Sequence, residues 1–116
     1  MAKGLQYNTS TLHRSYASSQ AYDIADRIRA NHLGAAEGRY NSILGSASNP
    51  DCISDGCTPA QMAQFDHWEW SATNAAVLPA GSGEVVLNNP NYRITLTWDD
   101  DRDGKADDSF EFEFRP

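Results

Sequence analysis

The sequence has no run of 18 or more apolar residues, so nothing in it can cross a membrane as a helix. Its first residues do not make a signal peptide. Basic residues are scarce, with 9 Lys and Arg against 16 Asp and Glu, a net charge of −7 and a pI near 4.7. Without a basic face to displace phosphate counterions, a nucleic-acid partner is excluded, as is electrostatic adhesion to anionic lipid. The excess of acid serves solubility and also suits a cation ligand. Catalytic signatures are missing too. His13, His32 and His67 form no i, i+4 pair and no H-E-x-x-H, and neither a G-x-S-x-G elbow nor a phosphate-binding glycine loop occurs. Asp66, Glu69 and Glu84 read as ordinary surface carboxylates. We expect no enzyme.

Cysteine is nearly absent: only Cys52 and Cys57 occur, in CISDGC. Metal and redox pairs usually show C-x-x-C spacing, and no paired histidines accompany these two to make a zinc site. Four residues intervene, including the turn dipeptide Asp55-Gly56, which suits a small disulfide loop in an oxidising compartment over a reduced pair. A loop this short contributes only about 2 kcal/mol on the chain-entropy model, so it fixes a local shape.

What remains, at 116 residues, is one domain, 1–116, with 40% hydrophobic residues. Residues 3–31 read as helix, with Ala17, Ala21, Ile24, Ala25 and Ile28 on one face. Leu5, Leu12 and Tyr16 fall on a rotated face, so the C-terminal half should pack while the N-terminal half projects. Gly34 is the expected stop. Residues 34–57 read as a long loop holding the cysteine pair. A second helix over 58–77 starts at Thr58 with Pro59 and Gln61, the pattern of a capping box. Its core face is expected at Met62, Phe65, Trp68, Ala72 and Ala76 or Val77, with Trp70 pointing outward as a contact residue. Residues 83–115 alternate with period two and predict an antiparallel meander of three strands. Tyr92, Ile94, Leu96 and Trp98 share one face, and Phe110, Phe112 and Phe114 repeat the pattern against Glu111, Glu113 and Arg115. The fold class is α+β, helices covering one face of the sheet.

The turn WDDDRDGKADDSF, residues 98–110, places six aspartates within ten positions. Counted from Asp99, carboxylates stand at positions 1, 3 and 5 (Asp99, Asp101, Asp103), Gly104 at 6, the Lys105 carbonyl at 7 and Asp107 at 9. That is the opening of a calcium loop, whose alternation aims successive oxygens at one point. Position 12 is Phe110 instead of the bidentate glutamate, with Asp108 as a substitute, and no helices flank the loop. We expect a structural Ca²⁺ site of weak, extracellular-module affinity, on the order of 10⁻⁴ to 10⁻³ M. Without a cation the cluster is an acidic, solvated turn.

Taken together, a helix reading AYDIADRIRAN, a Tyr-containing loop, a cysteine pair, a helix ending VLPAGSGEV and the strand YRITLTWDD closely resemble the PilV family of minor pilins, also called type IV pilus modification proteins. The likeness runs from Lys3 to the end. Its most specific parts are Ala25–Asn31, Leu78–Gly83 and Thr95–Asp99. The resemblance implies a pilin-like architecture, a long N-terminal helix packed by its second half on an antiparallel sheet. It implies a non-enzymatic subunit that joins other minor pilins, and the major pilin, in a complex priming pilus assembly. It further implies an inner-membrane anchor ahead of Lys3, facing the periplasm before assembly and extracellular in the pilus afterwards. The family's prepilin-peptidase site and membrane-helix Glu do not occur in this sequence. Two alternatives stand beside it, a calcium-dependent pilus-tip adhesin and a minor pseudopilin of type II secretion. No residue is assigned to partner binding from sequence.

Overall fold

The computed structural model describes residues 2–101 and 104–116. Helix α1 spans Ala2–Ala30, about 44 Å at 1.5 Å per residue, in a molecule whose longest dimension is 51 Å. A short α2 (His32–Ala36) follows after a one-residue break, then a two-residue strand β1 (Ser42–Ile43) and a single turn α3 (Cys52–Asp55). Helix α4 (Pro59–Val77) leads into β2 (Ser82–Asn88), β3 (Asn91–Trp98) and β4 (Asp108–Phe114). The strands form one antiparallel sheet in the order β1-β2-β3-β4. The architecture is the α+β arrangement expected, with a fourth strand added at the β2 edge.

The sheet's register explains its core. Val85 lies opposite Ile94, and Ile94 opposite Phe112, which lines apolar side chains across three strands. On β3, Tyr92, Ile94, Leu96 and Trp98 are buried while Arg93, Thr95 and Thr97 are half-buried on the other face. The α1 stripe Ala17, Ala21, Ile24, Ala25 and Ile28 is fully buried against this face, as its spacing predicts. Small alanines on two of the turns let the helix approach closely, and each buried isoleucine contributes roughly 1.5–3 kcal/mol. At the rim, Tyr22 packs on Phe112 with ring centroids 4.8 Å apart, and Arg14 and Arg29 lie over Trp98 and Phe114 at 5.8 and 4.8 Å.

Helix α4 begins as its sequence dictates. The Thr58 hydroxyl accepts from the Gln61 amide, and the Gln61 side chain accepts from the Thr58 amide, a complete capping box with Pro59 in the first turn. Its buried face, however, is Ala63, Asp66, Trp70 and Asn74, so the expected core face was rotated. Met62, Ala72 and Ala76 are exposed, and Trp70 points inward, its Nε1 donating to the Gln20 carbonyl at 2.8 Å. The cause is that two polar residues, which an apolar count assigns to the outside, occupy the inner face: Asp66 is held by Arg27 and Tyr40, and Asn74 accepts from Gln20 at Oδ1 while its buried Nδ2 has no hydrogen-bond partner among the described residues. Gly83 on β2 marks the contact: a Cβ there would stand 2.5 Å from the Trp70 ring and 2.6 Å from Asn74 Nδ2.

Gly34 is not a stop. It lies buried inside α2, where a Cβ would meet the Pro59 carbonyl at 3.0 Å, and the chain turns instead after Glu37 through Gly38 at φ 81°. Asn31 makes the break between the two helices, capping α2 by accepting from the Gly34 amide while its own amide donates to the Pro59 carbonyl and Tyr40. Residues 34–57, expected as loop, thus contain the end of α2, β1 and the α3 turn.

Candidate functional site

Three features of this fold could carry function: the acidic turn, the α1–α4 seam and the exposed faces beside them. At the turn, the chain leaves β3 at Trp98 and Asp99 is at once buried, its amide donating to the Pro79 carbonyl at 2.8 Å. The Asp99 carboxylate accepts from the Gly104 amide at 2.8 Å, and the Asp108 carboxylate from the Asp100 amide at 3.1 Å. Gly104 has φ 87°, a conformation L side chains rarely adopt. The Lys105 carbonyl accepts from the Asp107 amide at 3.0 Å. Asp101 also takes part in an interaction, and Asp103 lies outside the described residues. Among the described residues, no group of three or more His, Cys, Asp or Glu side chains gathers as a metal cage.

Asp100, which the calcium spacing skips, turns out to be the residue that ties the turn to the helix. Its carboxylate meets His13 Nδ1 at 2.5 Å, accepts from the Ser10 hydroxyl, and lies 3.4 Å from Trp98 Nε1. Burial would raise its pKa, but the bonds from Ser10, His13 and Trp98 outweigh burial and hold the carboxyl below the usual aspartate range. His13 is accordingly buried at a packing interface.

At the seam between α1 and α4, Arg27 spreads its guanidinium over three carboxylates. Nε donates to Asp23 and Nη1 to Asp66, each at 3.0 Å, and Nη2 to Glu69. Asp66 is 4% exposed and accepts a second bond from the Tyr40 hydroxyl at 2.5 Å. Burial alone would lower the pKa of Arg27, but the hydrogen bonds to Glu69, Asp66 and Asp23 prevail and push it up. Burial and the bond to Asp66 together push the Tyr40 hydroxyl up. Asp66 is therefore no surface carboxylate. With Arg27 and Tyr40 occupying its oxygens, it welds α1 to α4.

Beside the seam, Cys52 and Cys57 are bonded as a disulfide with Cα atoms 5.0 Å apart, α3 between them and α4 behind. Ile53, at the tip of that loop, is 91% exposed. Leu12, Tyr16 and Tyr22 are exposed along α1. Two clefts flank the C-terminal end of α1. One of about 370 Å³ is lined by Arg27, Asn31, Cys57, Pro59, Met62 and neighbours; the other, about 390 Å³, by Ile28, Arg29, His32, Ala36, Tyr92 and neighbours. Sequence reasoning singled out neither cleft, because each is assembled from segments far apart in the chain.

No helix among the described residues is long and apolar enough to cross a membrane. Comparison with known proteins found no curated protein and no solved structure that matches the chain. A family model does match, over residues 2–68: that of the Tt1218-like proteins, described as type IV pilin Tt1218. Since this spans more than half of the sequence, from α1 into α4, the chain belongs to the Tt1218-like family of type IV pilins, non-enzymatic subunits of an envelope-associated pilus.

Proposed function

We propose that the protein is a minor pilin that joins other minor pilins and the major pilin in a complex priming pilus assembly. The observation that carries this is the division of α1. One face of it, His13, Ala17, Ala21, Ile24, Ala25 and Ile28, is locked into the domain, while Leu12 and Tyr16 stay exposed on another. The sequence likeness to PilV minor pilins supports the finer role. On the same likeness, an apolar anchor ahead of Lys3 holds the full-length protein in the inner membrane, facing the periplasm, until assembly. A pull-down of minor and major pilins from the same gene neighbourhood tests it. Capture of both is the expected result, and capture of secretion pseudopilins alone would transfer the protein to type II secretion.

Calcium binding by Asp99, Asp101, Asp103, Lys105, Asp107 and Asp108 is a second proposal, supported by their spacing and by the positive φ of Gly104. Here the cation would relieve repulsion among the carboxylates. A thermal midpoint that rises with millimolar Ca²⁺ and falls back with chelator is expected; an unchanged midpoint would defeat it.

A further inference from the structure

The disulfide loop offers an exposed apolar side chain between two acids, and the second cleft has an apolar floor beside an arginine. The loop DCISDGC presents Ile53, nearly fully exposed, between two exposed carboxylates, Asp51 and Asp55. The Cys52–Cys57 bond and the α3 turn hold it, and Cys52 Sγ contacts the Gln61 carbonyl, so an apolar tip is kept in water by a stiff mount. An isoleucine so placed loses little conformational freedom on burial, the condition under which a small contact gains affinity.

The cleft of about 390 Å³ has an apolar floor of Ile28, Ala35, Ala36 and Tyr92. Arg29 supplies the cationic side chain of its lining, with His32 and Pro116 beside it. Arg29 lies over Phe114 and reaches Asp26 only at 3.7 Å, in an exposed pair that contributes little. In a chain of net charge −7, a cleft bordered by Arg and His stands out as a place for acid.

We propose that Ile53 of one subunit seats in this cleft of a second copy, with Asp51 and Asp55 facing Arg29 and His32. The placement of the two features makes the contact open-ended. Within α1, Arg27 lines the cleft on the side of the loop and Arg29 lines the other; two residues apart at 100° per residue, they stand about 160° from one another around the helix. Knob and hole therefore sit on opposite flanks of the same end of the molecule. Such a heterologous contact repeats from subunit to subunit rather than closing on itself. This rests on the chain acting as a pilus subunit, where neighbours are held at high effective concentration and a weak lateral contact suffices.

The test is ¹H–¹⁵N correlation NMR of the protein from micromolar to millimolar concentration, with pilus incorporation of the full-length protein measured separately. The expected result is concentration-dependent shifts confined to residues 51–55 and to Ile28, Arg29, His32, Ala35, Ala36 and Tyr92. They should be lost in Ile53→Glu and in Ala36→Trp, two changes at exposed positions, and weakened by salt. Arg29→Glu should abolish them, and adding Asp51→Arg with Asp55→Arg should restore them. Shifts that are absent, that map elsewhere, or that survive Ile53→Glu overturn the contact. Incorporation into pili without these shifts would leave the subunit role standing and sink this contact alone. The shifts without incorporation would do the reverse.

Discussion

Replacing Arg27 by alanine removes three charge-assisted hydrogen bonds at once, but they do not count equally. The bond to Glu69 ends on a carboxylate whose side chain is 42% exposed, so losing it costs about 0–1 kcal/mol. The bond to Asp23 is an i, i+4 surface pair of similar worth. The bond to Asp66 differs, because that carboxylate is almost wholly buried and would keep only Tyr40 among its described partners. Stripping one member from a buried pair costs about 3–5 kcal/mol, and partial exposure of Arg27 places this case near 3. At about 4 °C per kcal/mol for a domain of this size, Arg27→Ala should lower the melting temperature by about 12 °C. Arg27→Lys should recover little, since one ammonium cannot meet three carboxylates from a planar fork. Glu69→Ala should cost no more than about 1 kcal/mol. Urea titration and thermal melting of the three variants check this ranking. An Arg27→Ala protein within 1 kcal/mol of wild type, or a Glu69→Ala protein as damaged as it, would refute the welded seam.

Asp100→Asn should destabilise by about 2 kcal/mol at neutral pH, since bonds to an ionised acceptor weaken. Because the folded pKa of Asp100 is depressed, its contribution is complete above the ordinary aspartate value of about 3.9 and is lost as pH falls through the lower, folded value. The gap between variant and wild type should therefore close in acid; a gap constant with pH would contradict the dock to Ser10 and His13. Gly83→Ala should cost about 1–3 kcal/mol by driving a methyl into Trp70 and Asn74, visible as a loss of midpoint in denaturant. A neutral Gly83→Ala would show the contact to be looser than described. Cys52→Ser with Cys57→Ser should lower stability by about 2 kcal/mol while circular dichroism keeps its native form, and a wholly unfolded double variant would give the loop a larger role.

Much of the scaffold was legible because its signals are local. Ala17, Ala21, Ile24, Ala25 and Ile28 repeat at helical steps and are all buried. Thr58, Pro59 and Gln61 announce a helix start that forms as read. The alternation over Tyr92–Trp98 assigns each side chain to its face. What stayed illegible depends on partners distant in sequence. Asp66 and Asn74 are polar, and an apolar count assigns them outside; they are inside because Arg27, Tyr40 and Gln20 reach them from 26 to 54 residues away. Trp70 was misplaced for the same reason, its face being defined by those two residues. Asp100 hid among five other aspartates, and only the packing of α1 beside the hairpin shows that His13 and Ser10 select it. β1 is two residues long and carries no periodicity to read; pairing with β2 alone defines it.

The central claim is that this domain is carried on α1 into a pilus and works there by docking. Immunogold labelling of sheared pili from cells expressing the epitope-tagged full-length protein tests it most directly. The protein should appear in the fibre or at its end, together with other pilins. Its complete absence from the fibres and from any complex with pilins, in cells that express and fold it, would contradict the account.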